Sequence, residues 1–186
     1  MRRSVLKVGM ICTALAFVAA MFMYSDPDVA VRRAIAKADS NGVGKYLENG
    51  GDPNKQFNIP FAGPKSRQSL LHYAVDHSNP EACRILVKYG ANPSQGDYSG
   101  RTPIMNAINN KLSPIAEREI FEYLLPLTDL SVIDQHGCSL LHYIAQFGDH
   151  EQYETVLKRA PWLAAQKDRA DRRPSDIVQG NRRHKR

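Results

Sequence analysis

One stretch of the chain, residues 69–92, constrains the fold more than any other. It contains two short apolar runs, separated by Asn79-Pro80 and closed by Gly90. The first run comprises Leu70, Leu71, Tyr73, Ala74 and Val75, and the second comprises Cys83, Ile85, Leu86 and Val87. This pattern predicts a helix–turn–helix unit with one apolar face. Because such a unit cannot bury that face alone, it needs copies of itself alongside.

The chain supplies these copies at nearly constant spacing. The tetrapeptide at residues 69–72 returns at 102–105 and 139–142, and in degraded form at 173–176, so the spacings are 33, 37 and 34 residues. Turns of the form Asp-x-x-Gly-x-Thr/Ser precede two copies, at 97–102 and 134–139, while the turn at 168–173 keeps the Asp and lacks the Gly. Glycine also follows the predicted second helix at Gly50 and Gly90.

The motif residues and the repeat length of this chain resemble those of the ankyrin repeat family. The resemblance covers about residues 28–178 and implies an all-α solenoid of helix–turn–helix units. Separately, the composition of residues 1–24 predicts an N-terminal membrane-targeting helix before it. The ankyrin repeat domain is expected at 25–180. Its predicted parts are four copies and a capping half-repeat, at 28–64, 65–96, 97–133, 134–167 and 168–180, followed by a basic tail at 181–186.

Most motif residues have a structural explanation. Ser or Thr at a helix start can cap exposed backbone N–H groups, and Pro at the first turn has no N–H to leave unpaired. Glycine after the second helix permits a left-handed exit. The resemblance implies that His72 and His142 are structural histidines that hydrogen-bond the backbone of the next repeat. Ser113-Pro114 indicates the start of the second helix of the third copy, after an insertion.

The first segment, residues 1–24, is either a membrane anchor or a secretory signal. It begins with Arg2, Arg3 and Lys7, and the 17 residues from Val8 to Tyr24 carry no charge. Small residues at 18–20 would allow cleavage after Ala20, but the apolar run continues through 21–23, which favours an anchor. The positive start is expected to stay in the cytoplasm. This topology places the repeats in the periplasm of a bacterium or in the lumen of a eukaryotic compartment. Because the chain is compact and has no glycosylation motif, we expect a single-pass protein of a bacterial inner membrane with a periplasmic domain. The alternative is a soluble periplasmic protein after cleavage.

Charge argues against a nucleic-acid partner. The net charge is +6, but residues 25–166 hold 14 Lys and Arg against 16 Asp and Glu, whereas the tail from Lys167 holds 8 against 3. Nucleic-acid binding needs cations clustered on a folded surface. The tail is expected to aid solubility or to touch anionic lipid or an acidic partner.

No pattern predicts an enzyme, a metal site or a small-molecule cofactor. The three cysteines, Cys12, Cys83 and Cys138, have no metal-ligand spacing and are expected to be isolated thiols. The chain lacks the G-x-S-x-G, H-E-x-x-H and phosphate-loop motifs. His136 and Cys138 share a turn, so a nucleophile–base pair is conceivable, but the sequence offers no oxyanion site and no third orienting residue.

The resemblance implies a protein partner, bound on the concave face formed by the turn tips and first helices. The variable positions of the motif there mix aromatic, basic and small polar residues, as protein interfaces do. We expect Tyr98, Arg101, His136 and Phe147 to be the anchors. The full predicted set is Lys65, Ser66, Asp76, His77, Tyr98, Arg101, Asn109, Gln135, His136, Gln146, Phe147 and Arg169. The alternative is that some of these side chains are only solvated.

Two other features leave alternatives open. The enlarged loop at 55–65 carries Phe57, Ile59 and Phe61, which could recognise a partner or fold back onto the first repeats. Trp162 replaces the usual end of the fourth copy and is expected to pack against the stack, with partner contact as the alternative.

Two functions fit these expectations. The first is a non-catalytic module, outside the membrane, that binds one protein, for example as an immunity protein against a secreted effector. The second is a structural or protective envelope factor that supports another envelope enzyme. Both rest on fold and location, which identify a class and not a partner.

Overall fold

A computed structural model describes residues 26–58, 66–110 and 113–178. Helices dominate it, and most of them occur in pairs. The helices are α1 (Pro27–Ala36), α2 (Ser40–Glu48), α3 (Leu70–Asp76), α4 (Pro80–Lys88), α5 (Pro103–Asn109), α6 (Pro114–Leu124), α7 (Leu140–Phe147) and α8 (His150–Arg159). A 3-10 helix at Pro161–Ala165 follows them, and residues 174–178 form a last helical turn.

The helices stack in two layers, as the repeats predict. The first helices α1, α3, α5 and α7 pack against one another in order, and so do the second helices α2, α4 and α6. One continuous apolar core lies between the layers and contains fully buried residues from every repeat, among them Ile35, Leu71, Ile104 and Leu141. Each repeat therefore buries its apolar face against its neighbours, which is the architecture of a repeat solenoid.

Local signals place the helix starts where the sequence predicts them. Asp26 caps α1 by accepting from the N–H of Asp28, and Ser113 precedes α6 with Pro114 at its first position. Ser69 Oγ lies 2.8 Å from Nδ1 of His72 at the start of α3. Neither Ser113 nor Thr102 makes a side-chain capping bond, and the buried hydroxyl oxygen of Thr102 has no partner within the described residues.

Two short strands, which the sequence did not predict, lie at the two ends of the enlarged loop after the first repeat. Strand β1 (Gln56–Asn58) pairs antiparallel with β2 (Arg67–Ser69), with Phe57 opposite Gln68. The Phe57 ring packs edge-on against Tyr73 at 5.3 Å and lies under the Arg32 guanidinium at 4.7 Å. For Phe57 the fold-back alternative is therefore confirmed, whereas Ile59, Phe61 and Lys65 lie outside the described residues.

The turn tips form a ladder along the stack. Single backbone hydrogen bonds of 2.8 Å join the tips in order: Tyr98 N to Arg67 O, Gln135 N to Ser99 O, and Arg169 N to His136 O. The tips lie so close that glycine is needed: a Cβ on Gly100, whose φ is +81°, would meet the Asp134 Cα at 3.2 Å. Since the last turn lacks this glycine, Asp171 adopts the left-handed conformation in it, with φ of 60°.

Candidate functional site

A concave groove lies between the fourth repeat and the cap. It has a volume of about 440 Å³. We call it the concave groove, and it is lined by Asn109, Asp134, His136, Cys138, His142, Tyr143, Gln146, Phe147, Asp168, Arg169, Ala170 and Arg172. Five of the twelve residues predicted to bind a partner, namely Asn109, His136, Gln146, Phe147 and Arg169, come together there. Phe147 is 50% exposed and so offers an apolar contact at the groove.

Two turns along this face are each built around a buried aspartate that pairs with an arginine. In the third repeat, Asp97 Oδ2 lies 2.8 Å from Nη2 of Arg101, and the Asp97 side chain is 2% exposed. In the cap, Asp168 Oδ2 lies 2.8 Å from Nη2 of Arg172. In both turns the other carboxylate oxygen accepts two backbone N–H groups. We call these two turns the arginine turns.

The turn of the fourth repeat has no such cation. Asp134 Oδ1 accepts the N–H groups of His136 and Cys138, both at 2.8 Å. Cys138 stands where the other two turns carry arginine, and the Tyr143 hydroxyl donates to Asp134 Oδ2 at 2.7 Å instead. We call this turn the cysteine turn. A cysteine side chain is much smaller than an arginine side chain, so the turn of the fourth repeat has open space where the other two turns hold a guanidinium. Cys138 and Tyr143 line the concave groove there.

The histidines tie the arginine turns to the preceding first helices. His72 Nε2 lies 2.9 Å from the Arg101 carbonyl oxygen, and His142 Nε2 lies 3.1 Å from the Arg172 carbonyl oxygen. Both contacts reach the backbone of the next repeat, so the structural role implied for these residues is confirmed. Met105 occupies the corresponding position in α5, and the cysteine turn therefore lacks this bond as well.

The electrostatic setting of Cys138 does not suit nucleophilic chemistry. Burial raises the pKa of its thiol to about 11, and the Asp134 and Asp168 carboxylates add to this shift. Burial and the bond to Asp134 also raise the pKa of the Tyr143 phenol. Both groups therefore stay protonated at neutral pH, and a thiol without its thiolate form is a poor nucleophile. The His136–Cys138 pair gains no support as a catalytic pair.

The charges that a partner could reach in the concave groove are cationic. Arg169 is exposed, and the Arg172 side chain is 56% exposed although it pairs with Asp168. The groove carboxylates are buried: Asp134 is 6% exposed and the Asp168 side chain is 2% exposed. An approaching surface therefore meets arginine first.

Three further predicted residues, Asp76, His77 and Tyr98, lie nearer the N-terminal end of the concave face. Asp76 accepts a hydrogen bond of 2.6 Å from the Asn110 amide, and partial burial raises the pKa of its carboxyl. The exposed His77 bonds the Tyr73 carbonyl oxygen through Nδ1 at 3.0 Å. Tyr98 is 44% exposed, and its carbonyl oxygen accepts from the Gln135 amide.

Three expectations need correction or refinement. Ser66 is only 3% exposed, so its side chain is not on an open surface. Arg101, an expected anchor, has its guanidinium committed to Asp97 and its side chain 21% exposed, so its first role is in the turn. Trp162 is 58% exposed and does not pack into the stack; Leu163 beside it is buried instead.

Tyr143 lines the groove although its position in the sequence did not indicate a site residue. It follows the structural histidine, as Tyr73 does in the second repeat, so it resembled a repeat residue rather than a site residue. The available signal was the cysteine four residues after Asp134, where Asp97 and Asp168 are followed by arginine. That difference leaves a carboxylate that needs another donor, and Tyr143 supplies it.

Other candidate sites find less support in the described residues. No group of three or more His, Cys, Asp or Glu side chains there could hold a metal ion. Cys83 and Cys138 are free thiols. Within the same residues no helix is long and apolar enough to cross a membrane; the proposed anchor at 1–24 lies outside them.

Comparison with known proteins identifies the repeat. The family profile described as Ankyrin repeats (3 copies) matches residues 31–130, more than half of the chain. Rabankyrin-5 of Mus musculus is 32% identical over 105 residues, 56% of this chain and 9% of that protein. The human E3 ubiquitin-protein ligase HACE1 is 39% identical over 51 residues, 27% of this chain and 6% of the ligase.

A third relative, palmitoyltransferase AKR1 of Lachancea kluyveri, is 26% identical over 105 residues, 56% of this chain and 14% of that enzyme. The chain thus spans less than a sixth of the length of these relatives, and what it shares with them is the repeat region. Ankyrin repeats are non-catalytic modules for protein–protein interaction. From the profile match and the stacked helix pairs, we conclude that this chain belongs to the ankyrin repeat family.

Proposed function

We propose that this chain binds one specific protein through the concave groove and is tethered to a membrane by residues 1–24. The observation that carries the proposal is the meeting of Asn109, His136, Gln146, Phe147 and Arg169 in one groove. These residues come from three consecutive units of the repeat stack, so the groove exists only in the folded array. A binding site assembled in this way suits recognition of a folded surface or a protruding segment.

The chemistry of the groove favours a partner surface that is acidic and partly apolar. A partner carboxylate would meet Arg169 and Arg172, which are the accessible charges. An apolar side chain beside it would cover Phe147. Aromatic and arginine side chains are the residue types that most often dominate binding energy at protein interfaces.

The test is capture of the partner by the full-length chain in detergent, followed by identification and a titration. Phe147→Ala and Arg169→Glu are expected to weaken binding at least about tenfold each, as interface anchors do. Matched controls are Ile115→Ala, an apolar residue that is 74% exposed away from the groove, and Lys158→Glu on α8, which is exposed. Unchanged affinity in both groove variants, with a folded protein, would move the site elsewhere.

The proposed location is a bacterial inner membrane, single-pass, with the repeats in the periplasm; release after cleavage is the alternative. The basic start and the apolar run of residues 1–24 support this location. Fractionation with protease added to spheroplasts distinguishes the outcomes. Membrane-bound, protease-sensitive repeats support the anchor, soluble repeats released from the periplasm support cleavage, and protection from protease contradicts both.

Within this proposal, the partner is a secreted effector that the chain neutralises as an immunity protein. The alternative is an envelope enzyme that the chain supports or protects. Co-expression with the captured partner separates them, because an immunity protein relieves toxicity whereas a support factor raises the partner's activity or lifetime. A neighbouring toxin gene would favour immunity, and a neighbouring gene for a protective enzyme such as a catalase would favour support.

A further inference from the structure

A second surface lies along the edge of the stack where the second helices end. We call it the exit edge, and it consists of the segments that follow α2, α4, α6 and α8, at residues 49–54, 89–94, 125–131 and 160–163. Hydrogen bonds join each segment or its helix end to the next: Asn54 Nδ2 to Gly90 O at 2.9 Å, Asp129 N to Ser94 Oγ at 2.7 Å, and Arg159 Nη2 to Pro126 O at 3.3 Å. The edge is therefore one continuous surface.

Three successive segments of the exit edge each expose one large apolar side chain. Tyr89 is 39% exposed, Leu127 is 45% exposed and Trp162 is 58% exposed. Tyr89 directly follows α4, whereas Leu127 and Trp162 are each the third residue after α6 and α8. A single exposed apolar residue needs no explanation, but a row with one such residue in each of three repeats indicates a surface that is covered in use.

The described chain begins at this same edge. Asp28, in the first turn of α1, accepts from the Tyr46 hydroxyl at 3.2 Å and pairs with Lys55 at 2.9 Å. The Tyr46 hydroxyl also lies 3.4 Å from the Asp52 carbonyl oxygen, within the first segment of the exit edge. The start of α1 and the exit edge therefore share one side of the molecule.

We infer that the exit edge rests on the lipid bilayer, with Tyr89, Leu127 and Trp162 inserted at its interface. This inference rests on the proposed anchoring by residues 1–24. The apolar run ends at Tyr24, two residues before Asp26, and two extended residues span about 7 Å. An inserted anchor therefore brings the start of α1, and with it the exit edge, close to the membrane surface.

The composition of the edge suits a lipid interface. Tryptophan and tyrosine concentrate at membrane interfaces because their rings are apolar at one end and polar at the other. Lys88 and Arg159 at the helix ends are offset by Glu48, Asp52 and Asp129. Because these charges nearly balance, the apolar row carries the contact, and binding does not depend on anionic lipid.

The chain contains a single tryptophan, Trp162, which makes the test specific to this site. The full-length chain is reconstituted into two kinds of detergent-free vesicles, one of ordinary phosphatidylcholine and one of phosphatidylcholine whose acyl chains are brominated near the headgroup. The tryptophan fluorescence of the two samples is then compared. The expected result is a shift of the Trp162 emission to shorter wavelength and a loss of intensity in the brominated vesicles. Flotation of the same vesicles reports whether the chain is anchored.

The matched control moves the tryptophan to the concave face. The double variant Trp162→Phe with Tyr98→Trp keeps one tryptophan at an exposed aromatic position on a turn tip. Its emission is expected to show no quenching by brominated lipid. A second variant, Tyr89→Ser with Leu127→Ser, keeps Trp162 and is expected to reduce its quenching, because the rest of the inserted row is lost.

The outcomes separate this inference from the proposed anchor. If the chain does not float with vesicles, the anchoring proposal fails, and the inference fails with it. If the chain floats but Trp162 is not quenched, the anchor stands and the inference is overturned. A blue shift without quenching would mean that another protein or a second copy of the chain covers the exit edge. Quenching of the Tyr98→Trp variant would mean that a different face meets the membrane. Either result overturns the inference.

Discussion

The arginine turns and the cysteine turn share a backbone and differ in how their carboxylate is supported. In each turn one oxygen of the Asp side chain accepts two backbone N–H groups. The other oxygen meets a guanidinium in the third repeat and the cap, and the Tyr143 hydroxyl in the fourth repeat. All three turns keep the carboxylate, whereas the arginine is replaced in the fourth repeat. We attribute the open space of the concave groove to this replacement of arginine by Cys138.

The largest expected difference comes from removing the carboxylates. Asp97→Ala leaves Arg101 half-buried without its partner and two turn N–H groups without an acceptor, so we expect a loss of about 3 kcal/mol in the free energy of unfolding. Asp134→Ala leaves no guanidinium behind and is expected to cost about 2 kcal/mol. Urea denaturation of the full-length variants measures both. Equal losses would mean that the guanidinium adds nothing to the arginine turn.

The next effect concerns the donor that replaces the guanidinium. Tyr143→Phe removes the hydroxyl that bonds Asp134 Oδ2, and losing a hydrogen bond to a buried carboxylate costs about 2 kcal/mol. Tyr73→Phe is the matched control, because Tyr73 occupies the same repeat position and its hydroxyl makes no hydrogen bond within the described residues. We expect the control to change the urea midpoint little. A similar shift in both variants would show that ring packing, and not the bond to Asp134, matters.

The histidine that supports the third-repeat turn gives stability a pH dependence. Burial lowers the pKa of His72, so below its unfolded value of about 6.5 the unfolded state binds a proton that the folded state does not. Stability is therefore level above about pH 7 and falls as the pH drops through 6.5, by at most about 1.4 kcal/mol per pH unit. In α5 the corresponding residue is Met105, whose side chain does not titrate.

Urea midpoints between pH 5.5 and 7.5 check this dependence. His72→Gln keeps a donor towards the Arg101 carbonyl oxygen and removes the titrating imidazole. The variant is therefore expected to be less stable, and its urea midpoint is expected to change less with pH. His150→Gln, at an exposed position on α8, is the control that should keep the slope. A slope that survives His72→Gln would assign the titration to another group.

Repetition made much of the fold predictable from the sequence. The start of α6 at Pro114 follows from a local capping signal. The contacts of His72 and His142 with the next repeat follow from a motif that the chain repeats. The strands of the hairpin were missed because three residues, such as Gln56–Asn58, are too few for an alternating pattern to stand out.

The concave groove was only half predictable. Its outer residues, such as Phe147 and Arg169, occupy variable motif positions, so the sequence could identify them. Its floor depends on a missing side chain: Cys138 creates space only in relation to the arginines of two other turns. The exposure of Trp162 and the burial of Ser66 depend on how neighbouring segments pack, which a repeat motif does not specify.

The variant with the smallest expected change in stability gives the most direct test of the comparison between the arginine turns and the cysteine turn. Cys138→Arg gives the fourth repeat the residue type of the arginine turns. The new guanidinium can reach Asp134, but Tyr143 already bonds that carboxylate, so we expect the free energy of unfolding to change by no more than about 1 kcal/mol. The larger side chain would fill the concave groove, and affinity for the captured partner should fall at least about tenfold.

Cys138→Ser is the matched control, because it keeps the groove open and is expected to preserve binding. Urea denaturation and the binding titration are made on the same preparations. Stable protein with intact binding in Cys138→Arg would show that the partner does not occupy the groove. A loss of several kcal/mol would show that the space beside Asp134 cannot accept an arginine, and that the cysteine turn differs from the arginine turns in its backbone and not only in one side chain.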